Sequence, residues 1–145
     1  MRVFVPATMA TLGVLHRDGE LPAEAGFAAT DRYRAEVSTE VADDDEVLEY
    51  ELMVAAAAES LHDQDAGQVR RRVVLAVDLP AEPDLVDPAS GRVVVEGPVQ
   101  LADVASVHVD DLPLGPGEDA DTRTGTDLSW YARQEIGDLI DGQRP

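Results

Sequence analysis

The segment Val69 to Asp78 constrains this chain most, because beyond its three arginines, from Val73 to Val77, it is apolar on both of its faces. In an extended strand side chains alternate, so Val69, Val73, Leu75 and Val77 fall on one side while Val74 and Ala76 fall on the other. A strand with no polar face is stable only between two covering layers. The pattern therefore predicts a central strand in a sheet that carries helices on both sides.

The rest of the chain supplies elements for that arrangement. Arg2-Val3-Phe4-Val5 reads as an opening strand stopped at Pro6, which has no N–H for a ladder. Thr8 is placed to cap a helix from about Met9 to Asp18, with Leu12 and Leu15 buried and Gly19 just past its end. Gly26 to Ala29 reads as a short strand, and Thr30 as the cap of a brief helix over Asp31 to Thr39. The acidic run Asp43 to Glu46 opens the longest helix, Glu46 to about His62, since carboxylates in a first turn offset the positive end of the helix dipole. On a helical wheel Val47, Leu48, Leu52, Val54, Ala55, Ala58 and Leu61 cover a broad arc, so this helix is expected to be largely buried. Arg92 to Glu96 and the strand from Val104 follow, with a single turn over Gln100 to Asp103 between them. Residues 112–126 are rich in Gly, Pro and acids and are expected to form a flexible loop. Asp127 is placed to cap a last helix, Leu128 to about Asp141, with Leu128, Ala132, Ile136, Leu139 and Ile140 on its buried stripe.

The expected architecture is a single domain over residues 1–145, of α/β or α+β class. About four or five strands form its core, with the long central helix and the C-terminal helix packed on it. Aromatic residues are only 4% of the chain, so that core is aliphatic.

Charge excludes some functions. Thirty Asp and Glu stand against 11 basic residues, all arginine, for a formal charge of −19. Such a surface repels phosphate backbones and anionic lipid, so neither nucleic acid nor membrane is an expected partner, whereas a basic protein is. No apolar run approaches the length of a membrane span, and Met1 to Pro6 does not read as a signal-peptide start, so a soluble, cytoplasmic protein is expected. With no cysteine there is no thiolate nucleophile and no thiolate metal site.

Chemistry-bearing residues concentrate at strand ends. Val104 to Asp111 places Ser106, His108 and Asp110 on one face and Val107 and Val109 on the other. If the strands from Arg2, Val69 and Val104 run parallel, their C-terminal ends gather Thr8, Asp78, His108, Asp110 and Asp111 on one rim, where open α/β sheets bind ligands. Asp78, Asp110 and Asp111 are then candidate oxygen ligands of a divalent ion, with His108 as base or further ligand. The acids have the plainer role of ending strands and capping turns. Glu51, near the middle of the long helix's apolar arc, is a weaker acid/base candidate, since a buried carboxylate needs a partner such as Arg71 or Arg72, or else an edge position. A phosphate site at the Thr8 turn is disfavoured, as there is no glycine-rich cradle and no lysine. Arg70 to Arg72 are expected to pair with the protein's own acids rather than with nucleic acid. Trp130 points away from the stripe of the expected last helix, so it either packs under the preceding loop or, with Tyr131, marks a partner surface.

Four segments together, Met1 to Thr8, Arg70 to Val77, Val107 to Asp111 and Trp130 to Glu135, resemble an uncharacterised family of small acidic proteins from actinobacteria. The resemblance spans nearly the whole chain and agrees with its lack of lysine. It implies a cytoplasmic bacterial protein and no particular activity. Two functional readings stand. The first is a non-enzymatic binding or regulatory module whose acidic surface engages a protein partner or a second copy of the chain, with no cofactor. The alternative is a small metal-dependent hydrolase or phosphate-handling enzyme around His108 and Asp110.

Overall fold

The computed structural model describes residues 1–37, 40, 43–62, 64, 70–87, 89–115 and 128–142. In chain order the elements are β1 (Arg2–Ala7), α1 (Met9–Asp18), β2 (Glu20–Leu21), β3 (Ala25–Phe27), α2 (Asp31–Glu36), α3 (Asp45–His62), β4 (Val73–Asp78), β5 (Leu85–Asp87), β6 (Arg92–Val94), β7 (Val99–Gln100), β8 (Val104–Asp110), β9 (Leu128–Ala132) and α4 (Ile136–Asp141). Short 3₁₀ turns at Leu101–Asp103 and Arg133–Glu135 lead into β8 and α4. Seven strands form one sheet in the order β5-β6-β3-β1-β4-β8-β9, and β2 pairs with β7 in a small ribbon. The class is mixed α/β, as the pattern of elements predicts, with more strands than the four or five expected. Of the added strands, β2, β5 and β7 are two or three residues long, too short for periodicity to show, and β9 falls where a helix was expected.

β4 has the two covered faces that its sequence demands: Val73 to Val77 are at most 1% exposed. Val73, Leu75 and Val77 join Val3, Val5, Ala7, Val107 and Val109 under α1 and α4, where Leu12, Leu15 and Ile136 close the core. Val74 and Ala76 join Phe4 and Phe27 under α3, through Leu48, Leu52, Ala56 and Ala57. The buried stripe of α3 is narrower than the expected arc, since Val54, Ala55 and Ala58 are only half-buried. Local capping is as predicted. Thr8 accepts the Thr11 N–H at 3.0 Å and Thr30 the Tyr33 N–H at 3.1 Å, while Gly19 ends α1 at φ 76°.

Strand direction is where the structure departs from expectation. β4 runs antiparallel to both β1 and β8, so Arg2 lies opposite Asp78 and Val73 opposite Val109. The C-terminal end of β4 therefore lies at the end of the sheet opposite to that of β8. The second departure is at Leu128–Ala132, which is a strand, and the last helix begins only at Ile136. Leu128, Ala132 and Ile136 do recur at helical spacing, but an open edge of β8 is available, and Leu128 to Ala132 fill it residue for residue from Asp110 to Ser106. Cross-strand pairing overrides a local period of this length. The expected cap, Asp127, lies outside the described residues, as do Val69 and positions 116–126 of the expected loop. Leu112 to Gly115 are irregular, yet held: Leu114 is buried and its N–H donates to the Arg70 carbonyl at 2.8 Å.

Two polar groups hold the end of the sheet where β4 begins. Arg72 and Asp110 are each 2% exposed, and the Arg72 Nη2 and Nε reach the Asp110 carboxylate at 2.8 and 3.0 Å. The Arg72 backbone N–H donates to the same carboxylate at 2.8 Å, and the Asp110 N–H donates to the Arg72 carbonyl at 3.1 Å. Ser60, fully buried on α3, donates to the Ala7 carbonyl at 2.6 Å and accepts from the Val73 N–H at 3.0 Å, tying the helix to the last register pair of β1 and β4.

Removing one member of a buried ion pair strands the other's charge, so Asp110→Leu or Arg72→Met alone is expected to lose roughly 3–5 kcal/mol of stability, and the two together much less. Urea unfolding of the two single variants and the double variant checks this by a double-mutant cycle. Ser60→Ala orphans a buried carbonyl and a buried N–H together and is expected to cost about 2–5 kcal/mol in the same assay.

Candidate functional site

The expected rim forms only in part: β1 and β8 run the same way and end at one end of the sheet, but β4 is antiparallel to both and carries Asp78 to the other. Asp78, at the C-terminal end of β4, binds Arg2 in a forked pair at 3.1 and 3.2 Å, and lies at the other end of the sheet from Asp110 and Asp111. Asp110 is committed to Arg72, and Asp111 accepts from the Ser129 hydroxyl while its carbonyl accepts from Arg71. Among the described residues, no group of three His, Asp or Glu side chains is placed to hold a metal ion. The Arg70 to Arg72 run bonds internally, Arg72 to the Asp110 carboxylate as expected of an acid partner, but Arg71 to the Asp111 backbone carbonyl and Arg70 to the Gly115 carbonyl at 3.1 Å.

Glu51 is also not where the helical wheel implies. The buried stripe of α3 runs Leu48, Leu52, Ala56 and Ser60, which rotates Glu51 outward to an exposed position, and Arg71 and Arg72 bond elsewhere. Its charge is still felt by Tyr33, whose phenol is pushed up by burial first and by Glu51 second. The Thr8 turn borders a small cavity of about 280 Å³, but the Thr8 and Thr11 hydroxyls bond each other there at 3.2 Å.

What the fold does assemble is a groove. An α-helix is about 10 Å across and strands lie about 4.8 Å apart, so one helix covers two or three strands. α3 packs mainly on β3, β1 and β4, and no described helix packs as closely on the same face of β8 and β9, where Ser106 is buried and Leu128 reaches the edge of the α3 core. The side chains left there are those in phase with Phe4 and Ala76: Ser106 and His108 from β8, Leu128 and Trp130 from β9. Together with Arg2 and with Glu46, Glu49, Tyr50 and Met53 of α3 they line a groove of about 410 Å³. Trp130 and Tyr50 are 62% and 48% exposed, unusual for rings of this size.

The polar chemistry of the groove is largely self-satisfied. Ser106 Oγ and His108 Nε2 are 2.9 Å apart and hydrogen-bonded. Burial lowers the His108 pKa from its ordinary 6.5, with the nearby Arg2 charge a smaller cause, so the ring is neutral at pH 7. Arg2 is matched by Asp78. Glu46 and Glu49 are exposed and form no salt bridge or hydrogen bond among the described residues, although the Glu49 charge acts on Arg2; with Asp78 they outnumber that one cation and leave the groove net negative.

Of the residues singled out in the sequence, the structure brings His108 and Trp130 together as cross-strand partners. Tyr131 is separated from Trp130, because successive strand residues face opposite ways, and it packs half-buried against the α1/α4 core. Arg2, Glu49 and Tyr50 were not legible as site residues. Tyr50 carried the one available signal, a large aromatic off the apolar stripe of its helix.

The fold and groove define a small mixed α/β protein with an aromatic, anionic cleft beside one helix. The chain belongs to DUF6912, a family of unknown function, whose model matches residues 1–140. No curated protein and no solved structure matches it. No helix among the described residues is long and apolar enough to cross a membrane.

A lowered histidine pKa means that the unfolded chain binds a proton more readily than the folded one. Stability is therefore retained above the unfolded value of 6.5 and lost as pH falls below it. His108→Gln, which retains a hydrogen-bonding partner for Ser106, is expected to lose less stability than the wild-type protein between pH 7 and pH 5. Urea midpoints across that range check the difference, in which the carboxylate contributions common to both proteins cancel.

Proposed function

We propose that this protein is a cytoplasmic, non-enzymatic binding module whose groove between α3 and β9 docks a cationic segment of a protein partner. The observation that carries this reading is the pair of exposed rings, Trp130 on the sheet and Tyr50 on the helix, lining one cleft with the exposed carboxylates of Glu46 and Glu49. Aromatic side chains concentrate binding energy at interfaces, and a partly apolar groove beside a helix is a common seat for an extended or helical peptide. The formal charge of −19 steers cationic partners toward the molecule and disfavours anionic ones.

Trp130 is the single tryptophan, so its emission reports on the groove. Titration with a nonapeptide of alternating arginine, lysine and leucine at low ionic strength is expected to shift that emission, and the affinity is expected to fall as added salt screens the charges. Tyr50→Ser, followed by the same emission, and Trp130→Ser, followed by calorimetry, are expected to bind several-fold more weakly with little change in stability, because both rings are exposed. Absence of any response at low salt, or unchanged affinity in both variants, overturns the reading.

A further inference from the structure

We propose that the group this groove recognises is a guanidinium, presented by an arginine side chain of the bound segment. The inference rests on the binding reading above and goes beyond it by naming the recognised chemistry. Three observations carry it. First, the charges in the groove do not balance: Arg2 is held in a forked pair with Asp78 and also feels the Glu49 charge, so this one cation faces three carboxylates, and Glu46 and Glu49 form no salt bridge or hydrogen bond among the described residues. Second, the base of the groove has little hydrogen-bonding capacity to offer. Phe4 and Ala76 are apolar, and Ser106 and His108 satisfy each other at 2.9 Å. Third, aromatic rings with large exposed areas are contributed from two sides, Tyr50 by α3 and Trp130 by β9.

An apolar base disfavours a strongly hydrated ion, which would have to shed water without finding acceptors to replace it. A lysine ammonium is such an ion. A guanidinium is planar and weakly hydrated; it stacks on an indole or phenol face and offers paired N–H donors to a carboxylate. Its aliphatic stem suits contact with Met53 and Leu128, which also line the cleft. The polarity of the site also excludes a phosphorylated or carboxylate ligand, since Glu46 and Glu49 repel it and Arg2 is already matched.

The test uses one nonapeptide in four versions that differ only at the central position, carrying arginine, citrulline, lysine or trimethyllysine, with two further lysines held constant. Trp130 emission follows binding to the intact protein. The arginine peptide is expected to bind about tenfold more tightly than the citrulline peptide, the fold-change that corresponds to one stacked, charge-paired cation, and several-fold more tightly than the lysine one. Glu46→Gln and Glu49→Gln, both at exposed positions, are expected to shrink the arginine over citrulline ratio, with no more than a small fall in the urea midpoint for Glu46→Gln, whose carboxylate sits in the first turn of α3. Equal binding of arginine and citrulline, or a preference for lysine or trimethyllysine, overturns the guanidinium assignment and leaves the binding module standing. Failure of all four peptides to bind overturns both.

Discussion

The ion pair between Arg72 and Asp110 sets the register on which everything functional here depends. β8 lies between β4 and the edge strand β9, and its side chains serve two different layers: Val107 and Val109 belong to the α1/α4 core, Ser106 and His108 to the groove. A slip of one residue against β4 would exchange those sets and put a histidine into an aliphatic core. The buried guanidinium and carboxylate allow no such slip. Their side-chain bonds and their two backbone bonds close together only in the observed alignment. A wholly apolar pair at that position could contribute as much stability, but would specify the alignment less sharply.

Given that register, the groove follows from widths. The sheet has seven strands, and among the described helices α3 packs on the face in question over β3, β1 and β4 while the short α2 adds Tyr33, so part of that face is not covered by them. A protein could fill such a margin with apolar side chains under a second helix. This one instead places there a neutral histidine bonded to a serine, an arginine bonded to an aspartate, and two large rings open to solvent. Each polar group on the floor is internally matched. The groups with capacity to spare are the rings and the two glutamates of α3, and that inventory gives the cleft its sign.

Parts of this design can be read from the amino-acid order and parts cannot. α1 is legible to the residue, because its determinants, Thr8 before it and Gly19 after it, act within one turn. The two-faced burial of β4 is legible for the same reason, as alternation is local. Strand direction is not. Arg2, Val73 and Val104 begin strands of similar composition, and only long-range packing decides which way each runs, so Asp78 and His108 could be assigned to one rim on paper and lie apart in space. Leu128 to Ala132 fits two periods, helical and alternating, and the vacancy beside β8 selects between them. Glu51 illustrates a smaller effect, since a modest rotation of the buried stripe toward Ala56 and Ser60 carries a residue from the middle of an apolar arc to the surface. The role of Ser60 and the identity of the acid that Arg72 pairs with were beyond reach, because each partner lies far off in sequence.

β9 also ends the sheet, and an outermost strand carries backbone donors and acceptors that another chain can match. Nature's usual guards against such adhesion are lysines, bulges or prolines on the rim, and Leu-Ser-Trp-Tyr-Ala contains none of those residues. Mutual repulsion between like-charged molecules takes over that duty, with 30 acidic side chains against 11 basic ones. The acidity of this protein is thus a colloidal safeguard as well as a lure for cations, and conditions that discharge its carboxylates would strip away both at once.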